Sequence, residues 1–398
     1  MINSNVGSFT GSSYVSIGID VVVTLTSATD NVLLLVNLNN KPISDKQYAQ
    51  YTIFRNSEDI GSGKVMAVVH SYSKEERQAV TFSVLDKPNG TGPYTYSVRM
   101  KGNGIVSDSN QFRQMSAMVI SSSVPTGTKF VANYQMITTT DYVNLGVDMS
   151  VTTSLVTDLV LVCASFSINP LANKAVAKIS LFRDNKQVDA YAMQLVSMSL
   201  TGNNRMGTFF FLDSPGKSGV VTYSLCAAND ASSLGGFSVC EGNTDMAQLS
   251  LVVVPAANAA YFTSETALTI STTDWVTCGL TATITPLYTD DTVLVTVNIN
   301  FYPTTSTSIG VFTIFRNDQN LGNDMSGLQG INTGEASIAT MSFLDSPGTI
   351  GPVTYQVKVR AFNSAGPFMV SYNGQTRQIA VIVSRALGKG IFTFVHFP

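Results

Sequence analysis

The sequence predicts an all-β protein made of three antiparallel β-sandwich domains in tandem, and three observations carry that prediction. The first is a cassette of motifs that occurs three times. It reads Phe54-Arg55-Asn56, Leu85-Asp86-Lys87-Pro88-Asn89 and Thr95-Tyr96, then Phe182-Arg183-Asp184, Leu212-Asp213-Ser214-Pro215-Gly216 and Thr222-Tyr223, then Phe315-Arg316-Asn317, Leu344-Asp345-Ser346-Pro347-Gly348 and Thr354-Tyr355. From Asp to Tyr the spacing is ten residues in every copy, whereas from Arg to Asp it runs 31, 30 and 29, so the slack lies in one loop. The second is an aromatic residue four positions before a glycine at the head of each copy: Tyr14 and Gly18, Tyr142 and Gly146, Trp275 and Gly279. These place the copies 128 and 133 residues apart. Periods of that size are whole domains, since solenoid units run to about 20–50 residues. The third is the texture of the chain between the motifs, where short runs rich in Val, Ile, Thr and Tyr alternate with Gly, Asn, Asp and Ser.

The first domain, residues 1–121, carries strand signals at Val15–Leu25, Val32–Leu38, Tyr51–Phe54, Val80–Leu85 and Tyr94–Met100. Helical periodicity is confined to one short candidate, Lys74–Gln78, in the slack loop of the cassette. Thr52–Gly61 reads as a strand that turns at Asn56 and returns, because Asn, Asp and Gly supply the positive φ that a tight turn needs. The later Asp-Ser-Pro-Gly motif is a second turn, and Val353–Arg360 alternates apolar and polar residues as a strand with one buried face does. The second domain, residues 122–255, opens with the short linker Val124–Thr128 and ends in the strand Leu249–Val254. Pro255–Ala260 is too short and apolar for a flexible tether, so a fixed relation between neighbouring domains is expected. The third domain, residues 256–385, closes with Gln378–Val383 and is followed by an arm, residues 386–398.

Composition narrows the function. Charged residues are 12% of the 398, against about 25% in ordinary soluble domains, and mean hydropathy is +0.19. Much of the surface is therefore expected to be covered. No apolar run reaches the roughly 20 residues of a membrane helix, and Met1–Gly11 holds no basic segment or apolar core, so neither a membrane span nor a secretory signal is expected. A net charge of −3 without a basic cluster argues against nucleic acid as a partner. Cys163, Cys226, Cys240 and Cys278 form no C-x-x-C pair and do not recur between copies, which points to buried free thiols. A Cys226–Cys240 bridge across a hairpin stays open.

Catalytic patterns are missing from the repeat. The two histidines, His70 and His396, stand in unrelated contexts, and Gly61–Lys64 lacks the remainder of a phosphate loop, so it reads as a turn. Asp290-Asp291 is not part of a spaced calcium-loop series, and no cofactor or metal is expected. The recurring Arg55, Arg183 and Arg316 and the recurring Asp86, Asp213 and Asp345 have two readings. The simpler is that each Arg projects into solvent and each Asp caps its own backbone; the other is that they pair and fix two hairpins together. Tyr96, Tyr223 and Tyr355 are read as buried, with the hydroxyl bonded to a nearby turn, the alternative being exposed ligand-stacking rings. Asn89-Gly90-Thr91 matches a glycosylation sequon by pattern only.

With these motifs in place, the repeat resembles the β-sandwich domains of virion structural proteins of tailed phages and large DNA viruses. Those domains look like jelly rolls of the tumour-necrosis-factor and complement globular-head type. The carrying residues are Trp275–Pro286, Thr292–Asn298, Phe315-Arg316-Asn317, Phe343–Gly348 and Thr354-Tyr355, and the likeness extends over most of all three copies. The resemblance implies three jelly-roll-like domains, a homo-oligomer with a trimer favoured, a place in the virion, and other virion proteins as partners. No repetitive shaft, collagen-like segment or attachment helix is present, which favours a capsid-associated component over a free-standing fibre. Ile391–Phe397 would be ordinary as an eighth-strand extension; as an exposed tail it needs a cover, and the preferred expectation is that Ile391, Phe392, Phe394, Val395 and Phe397 form an apolar arm that adds to a neighbouring subunit. A second expectation, of a different class, is binding of a host receptor or glycan through the variable loops Ala67–Ala79, Gln194–Met206 and Met325–Ala336.

Overall fold

β-Branched and aromatic runs become strands throughout, and no α-helix occurs among the described residues. The computed structural model describes residues 9–395 except 43, 72, 74, 75, 77, 107–112, 190, 199, 201–203, 241–243, 333, 363–365 and 385–391. Of the helix candidate Lys74–Gln78 only Glu76 and Gln78 are described, Gln78 starting a strand, and His396 lies outside the described residues.

The first copy contributes β1 (Phe9–Leu25), β2 (Asn31–Pro42), β3 (Gln47–Arg55), β4 (Glu58–Asp59), β5 (Ala67–Ser71), β6 (Gln78–Asp86), β7 (Gly92–Val106) and β8 (Gln114–Ile120). In the second are β9 (Thr126–Val131), β10 (Gln135–Ile137), β11 (Val143–Thr153), β12 (Leu159–Pro170), β13 (Ala175–Arg183), β14 (Lys186–Gln187), β15 (Gln194–Met198), β16 (Arg205–Asp213), β17 (Gly219–Asn229), β18 (Phe237–Val239) and β19 (Ala247–Val254). The third has β20 (Ala259–Ser264), β21 (Leu268–Ile270), β22 (Val276–Ile284), β23 (Thr292–Pro303), β24 (Gly310–Arg316), β25 (Gln319–Asn320), β26 (Gln329–Ile331), β27 (Ser337–Asp345), β28 (Val353–Ala361), β29 (Phe368–Val370) and β30 (Arg377–Ser384), and the chain then adds β31 (Phe392–Val395).

Every pairing between these strands is antiparallel, and the order in space is that of an eight-stranded jelly roll. In the second copy one sheet runs β9-β19-β12-β16 and the other β11-β17-β13-β15. The third repeats it as β20-β30-β23-β27 and β22-β28-β24-β26. The first has β1-β7-β3-β5 for the latter sheet. Its other sheet is β31-β8-β2-β6, so the edge strand comes from the far end of the chain. The arm expected to reach a neighbouring subunit lies, in this single chain, on the chain's own first sandwich. Of its residues, Phe392, Phe394 and Val395 are within β31, while Ile391 and Phe397 are outside the described residues.

Burial separates the two kinds of sheet. Alternating strands such as β22 and β28 bury one face, whereas β2, β12, β19 and β30 are buried along almost their whole length. One face of these inner strands fills its own sandwich, and the other must meet something else. Three apolar cores lie inside the sandwiches. A fourth joins all three copies, with Leu33, Leu161 and Leu294 at equivalent positions, together with Leu85, Leu212 and Leu344.

The aromatic-to-glycine opening marks a β-bulge. Gly18, Gly146 and Gly279 have φ of 70°, 71° and 79°, and the register of each opening strand slips beside them. A left-handed residue at a bulge favours glycine, which explains its return in each copy. The preceding Tyr14, Tyr142 and Trp275 pack edge-on against Phe54, Phe182 and Phe315 of the cassette.

Candidate functional site

The turn residue of each cassette ties two motifs together. Asn56, Asp184 and Asn317 adopt φ of 54°, 49° and 52°. Each donates its backbone N–H to the carbonyl of Thr95, Thr222 or Thr354, at 2.6, 2.8 and 2.7 Å, and accepts that threonine's N–H on its side-chain oxygen at 2.9, 3.1 and 3.1 Å.

Arginine, aspartate and tyrosine then meet in one cluster per sandwich. Arg55 Nη1 donates to both carboxylate oxygens of Asp86 at 3.1 and 3.0 Å, Arg183 Nη1 to those of Asp213 at 2.9 and 2.7 Å, and Arg316 Nη1 to those of Asp345 at 3.0 and 3.2 Å. The hydroxyls of Tyr96, Tyr223 and Tyr355 donate to the same carboxylates at 2.7, 2.6 and 2.6 Å. The simpler reading, with Arg in solvent and Asp capping its own backbone, is thus corrected. The physical reason is that a carboxylate beside a fully buried tyrosine hydroxyl and short of water gains most from a charged donor. The tyrosine rings are wholly buried, so they are not exposed stacking faces. Burial, then the adjacent carboxylate, drives each phenol well above its ordinary range. Burial alone would lower Arg55 and Arg183, but hydrogen bonds to Glu58 and Asp86 in one case and Asp213 in the other leave both raised. These clusters hold permanent charges in fixed places, which is an architectural task.

Other candidates resolve in the same way. Asp291 accepts the N–H groups of Leu287 and Tyr288 at 2.8 and 3.0 Å, as Asp158 accepts those of Ser154 and Leu155, so the acid beside Asp290 caps a turn. Gly61–Lys64 is a turn closed by Lys64 N–H to Gly61 O at 2.9 Å. Cys226 and Cys240 are free thiols, as are Cys163 and Cys278.

What sequence reasoning missed is the junction of the three copies. Register makes Thr81, Thr208 and Thr340 equivalent, since they face Asn37, Ser165 and Asn298 at the same step from the cassette aspartates. Thr81 Oγ1 donates to Thr340 O at 2.8 Å, Thr340 Oγ1 donates to Thr208 O at 2.6 Å, and Thr208 Oγ1 donates to Thr81 O. Three equivalent residues bonded in a closed cycle define a pseudo-threefold axis. A water-sized cavity lies beside this ring, between Ala79, Thr81, Met206, Thr208, Ile338 and Thr340. Backbone bonds follow the same rotation: His70 N–H to Asn204 O and Ser197 N–H to Ala336 O, both at 3.1 Å. Buried Arg205 reaches Glu76 of the first copy at 3.4 Å and Glu335 of the third at 3.3 Å. Asn37 donates to Ser342 Oγ at 2.7 Å, and Gln378 exchanges two hydrogen bonds with the backbone of Leu212 at 2.6 and 3.0 Å.

The segments expected to serve as receptor- or glycan-binding loops are, among their described residues, largely strand and junction. Within Ala67–Ala79, Gln194–Met206 and Met325–Ala336 lie β5, β15 and β26, and these segments carry the contacts between copies, with Leu200 and Met325 among the side chains still exposed. A signal for the junction was present. Val32–Leu38, Leu159–Phe166 and Leu249–Val254 are near-continuous apolar runs, each broken only by one polar residue (Asn37, Ser165, Ser250), the mark of strands covered on both faces.

No protein-family model and no curated protein matches this chain. Among solved structures, that of the infectious bursal disease virus Gx strain is similar over 94% of this chain and 72% of its own, at 8% identity and a TM-score of 0.22. The triple jelly roll of an archaeal virus, described with its turret assembly, is similar over 92% of this chain and 81% of its own, at 10% identity and 0.19. The insecticidal delta-endotoxin Cry8Ea1 from Bacillus thuringiensis is similar over 87% of this chain and 53% of its own, at 9% identity and 0.21. Scores this low leave function to be argued from the residues themselves.

Proposed function

We propose that this chain is a non-enzymatic structural component of a virion, a capsid-associated minor, decoration, vertex or fibre protein that works by assembly with other virion proteins. The observation that supports it is the use made of the recurring residues. In each copy the arginine, aspartate and tyrosine of the cassette, the aromatic pair and the turn residue are all engaged in holding the sandwich, and the threonine ring joins the copies. What evolution kept between copies is a shape. In this proposal the three sandwiches of one chain take the places of the three subunits of the homotrimer implied by the family resemblance, and the block they form packs against a shell.

The test is the composition of purified particles. Quantitative mass spectrometry and antibody labelling under the electron microscope should find the chain at a fixed copy number per particle and at one class of site. Abundance in producing cells with absence from particles would overturn the proposal. The reading as a receptor- or glycan-binding module has against it the burial of much of its candidate loops; glycan-array binding lost on changing Leu200 and Met325 would revive it.

A further inference from the structure

The edge of β8 is one place where the first sandwich differs from the other two. Register identifies the equivalent strands. Val119, Val253 and Val383 each lie across the inner strand from a cassette aspartate, through Val32, Val160 and Val293. In the second sandwich the outer edge of β19 is paired with Thr126–Val131, and in the third the edge of β30 is paired with Ala259–Ser264. Both are six-residue strands that run directly into their own sandwich. In the first, the same edge is paired with Phe392–Val395, antiparallel and in the same direction: Met118 opposes Phe394 where Val252 opposes Thr126 and Ile382 opposes Ala259. This ladder is four residues long and its strand arrives from the third sandwich across residues 385–391.

From this we infer that the β8 edge is a strand-acceptor site whose occupant is exchangeable, and that the β31 segment of a second copy of this chain takes it, linking copies head to tail. The inference rests on the assembly reading above and names its contact. A strand added to an exposed edge is held by main-chain hydrogen bonds, and those bonds are the same whether the strand is supplied by its own chain or by another. The choice between the two is then set by concentration. A tether of seven residues spans at most about 25 Å, and short tethers give an effective concentration in the millimolar range. In dilute solution the chain's own arm wins. Where copies are crowded, as on a shell, the neighbour's arm competes on equal terms. Because donor strand and acceptor edge are different surfaces, the contact is heterologous and generates rings or rows. An edge left without either strand would be an aggregation site, which gives the chain a use for an arm that can fill it in both settings.

A disulfide trap tests this. Val119 and Thr393 are directly opposed, and so are Met118 and Phe394; one pair of each adjacent two in an antiparallel ladder has the closer Cα spacing. Two variants, Val119→Cys with Thr393→Cys and Met118→Cys with Phe394→Cys, cover both geometries, and the four native thiols are buried and unpaired. After mild oxidation at about 1 µM the better-placed pair should close within single chains. At or above about 1 mM the same variant should give covalent dimers and a ladder of higher species on a non-reducing gel. Intrachain closure at every concentration would overturn exchange between copies, and failure of both variants to close would remove β31 from the edge. Both outcomes are read on the purified chain and do not depend on whether it is found in particles.

Discussion

Replacing Asp213 by Ala should destabilise the second sandwich by about 2–4 kcal/mol. The side chain of Asp213 is 7% exposed and accepts from Arg183 at 2.7 and 2.9 Å and from Tyr223 at 2.6 Å. Its loss strands the hydroxyl of a tyrosine that is 0% exposed, which costs about 1–3 kcal/mol. The ion pair adds less, about 0.5–1 kcal/mol, because the Arg183 side chain is 30% exposed and solvent screens it. Tyr223→Phe removes the donor together with its need for a partner and should cost only about 1 kcal/mol. The assay is urea unfolding, followed by hydrogen exchange so that loss in one sandwich is told apart from loss in all three. A double-mutant cycle of Tyr223→Phe with Arg183→Met should show coupling of about 0.5 kcal/mol or more, since both donors share one carboxylate. A cost below about 0.5 kcal/mol for Asp213→Ala, with no coupling in the cycle, would refute the claim that the cluster holds the sandwich.

Three further outcomes follow from the same contacts. Gly146→Ala forces a Cβ into a left-handed bulge and should cost about 1–2 kcal/mol, read as a fall in Tm, while the same change at Gly207 would fail for a different reason, collision with the Phe166 ring. Thr208→Val keeps the shape of the axial ring and removes one donor, at about 1 kcal/mol, and making the change at Thr81 and Thr340 as well should roughly triple the cost in equilibrium unfolding. Burial pushes the thiols of Cys226 and Cys240 up to about 12 and that of Cys278 to about 11. Folding therefore favours the neutral thiol: its contribution is complete below the ordinary thiol value of 9.0 and is lost as pH rises from there towards about 12. Thermal stability should be flat up to pH 9 and fall above it, and iodoacetamide at pH 8 should leave all four cysteines unmodified in the native chain. Rapid labelling under those conditions would contradict their burial.

The sequence made the sandwiches legible because their determinants are local. A positive-φ turn at Asn56, Asp184 or Asn317 and a bulge at Gly18, Gly146 or Gly279 each demand particular residue types at a fixed spacing, and repetition exposes that demand. The pairing of Arg with Asp was not legible in this way. Whether two polar residues about thirty positions apart meet depends on which hairpins become neighbours, and a solvated arginine has the same sequence signature as a paired one. The arm illustrates the limit most plainly. Ile391–Phe397 announces an apolar strand, but nothing in its composition says that its partner is Ala117–Ile120 at the opposite end of the chain. The junction between copies sits between these cases: the near-continuous apolar runs at Val32–Leu38 and Leu159–Phe166 say that both faces of an inner strand are covered, without saying that another copy covers them.

Small-angle scattering on chromatographically isolated single chains measures most directly whether the three sandwiches close around one axis. Packed as described, a chain of 398 residues should have a radius of gyration of about 21 Å. Three sandwiches strung out along their linkers would give about 30 Å or more at the same mass, and that value would contradict the account.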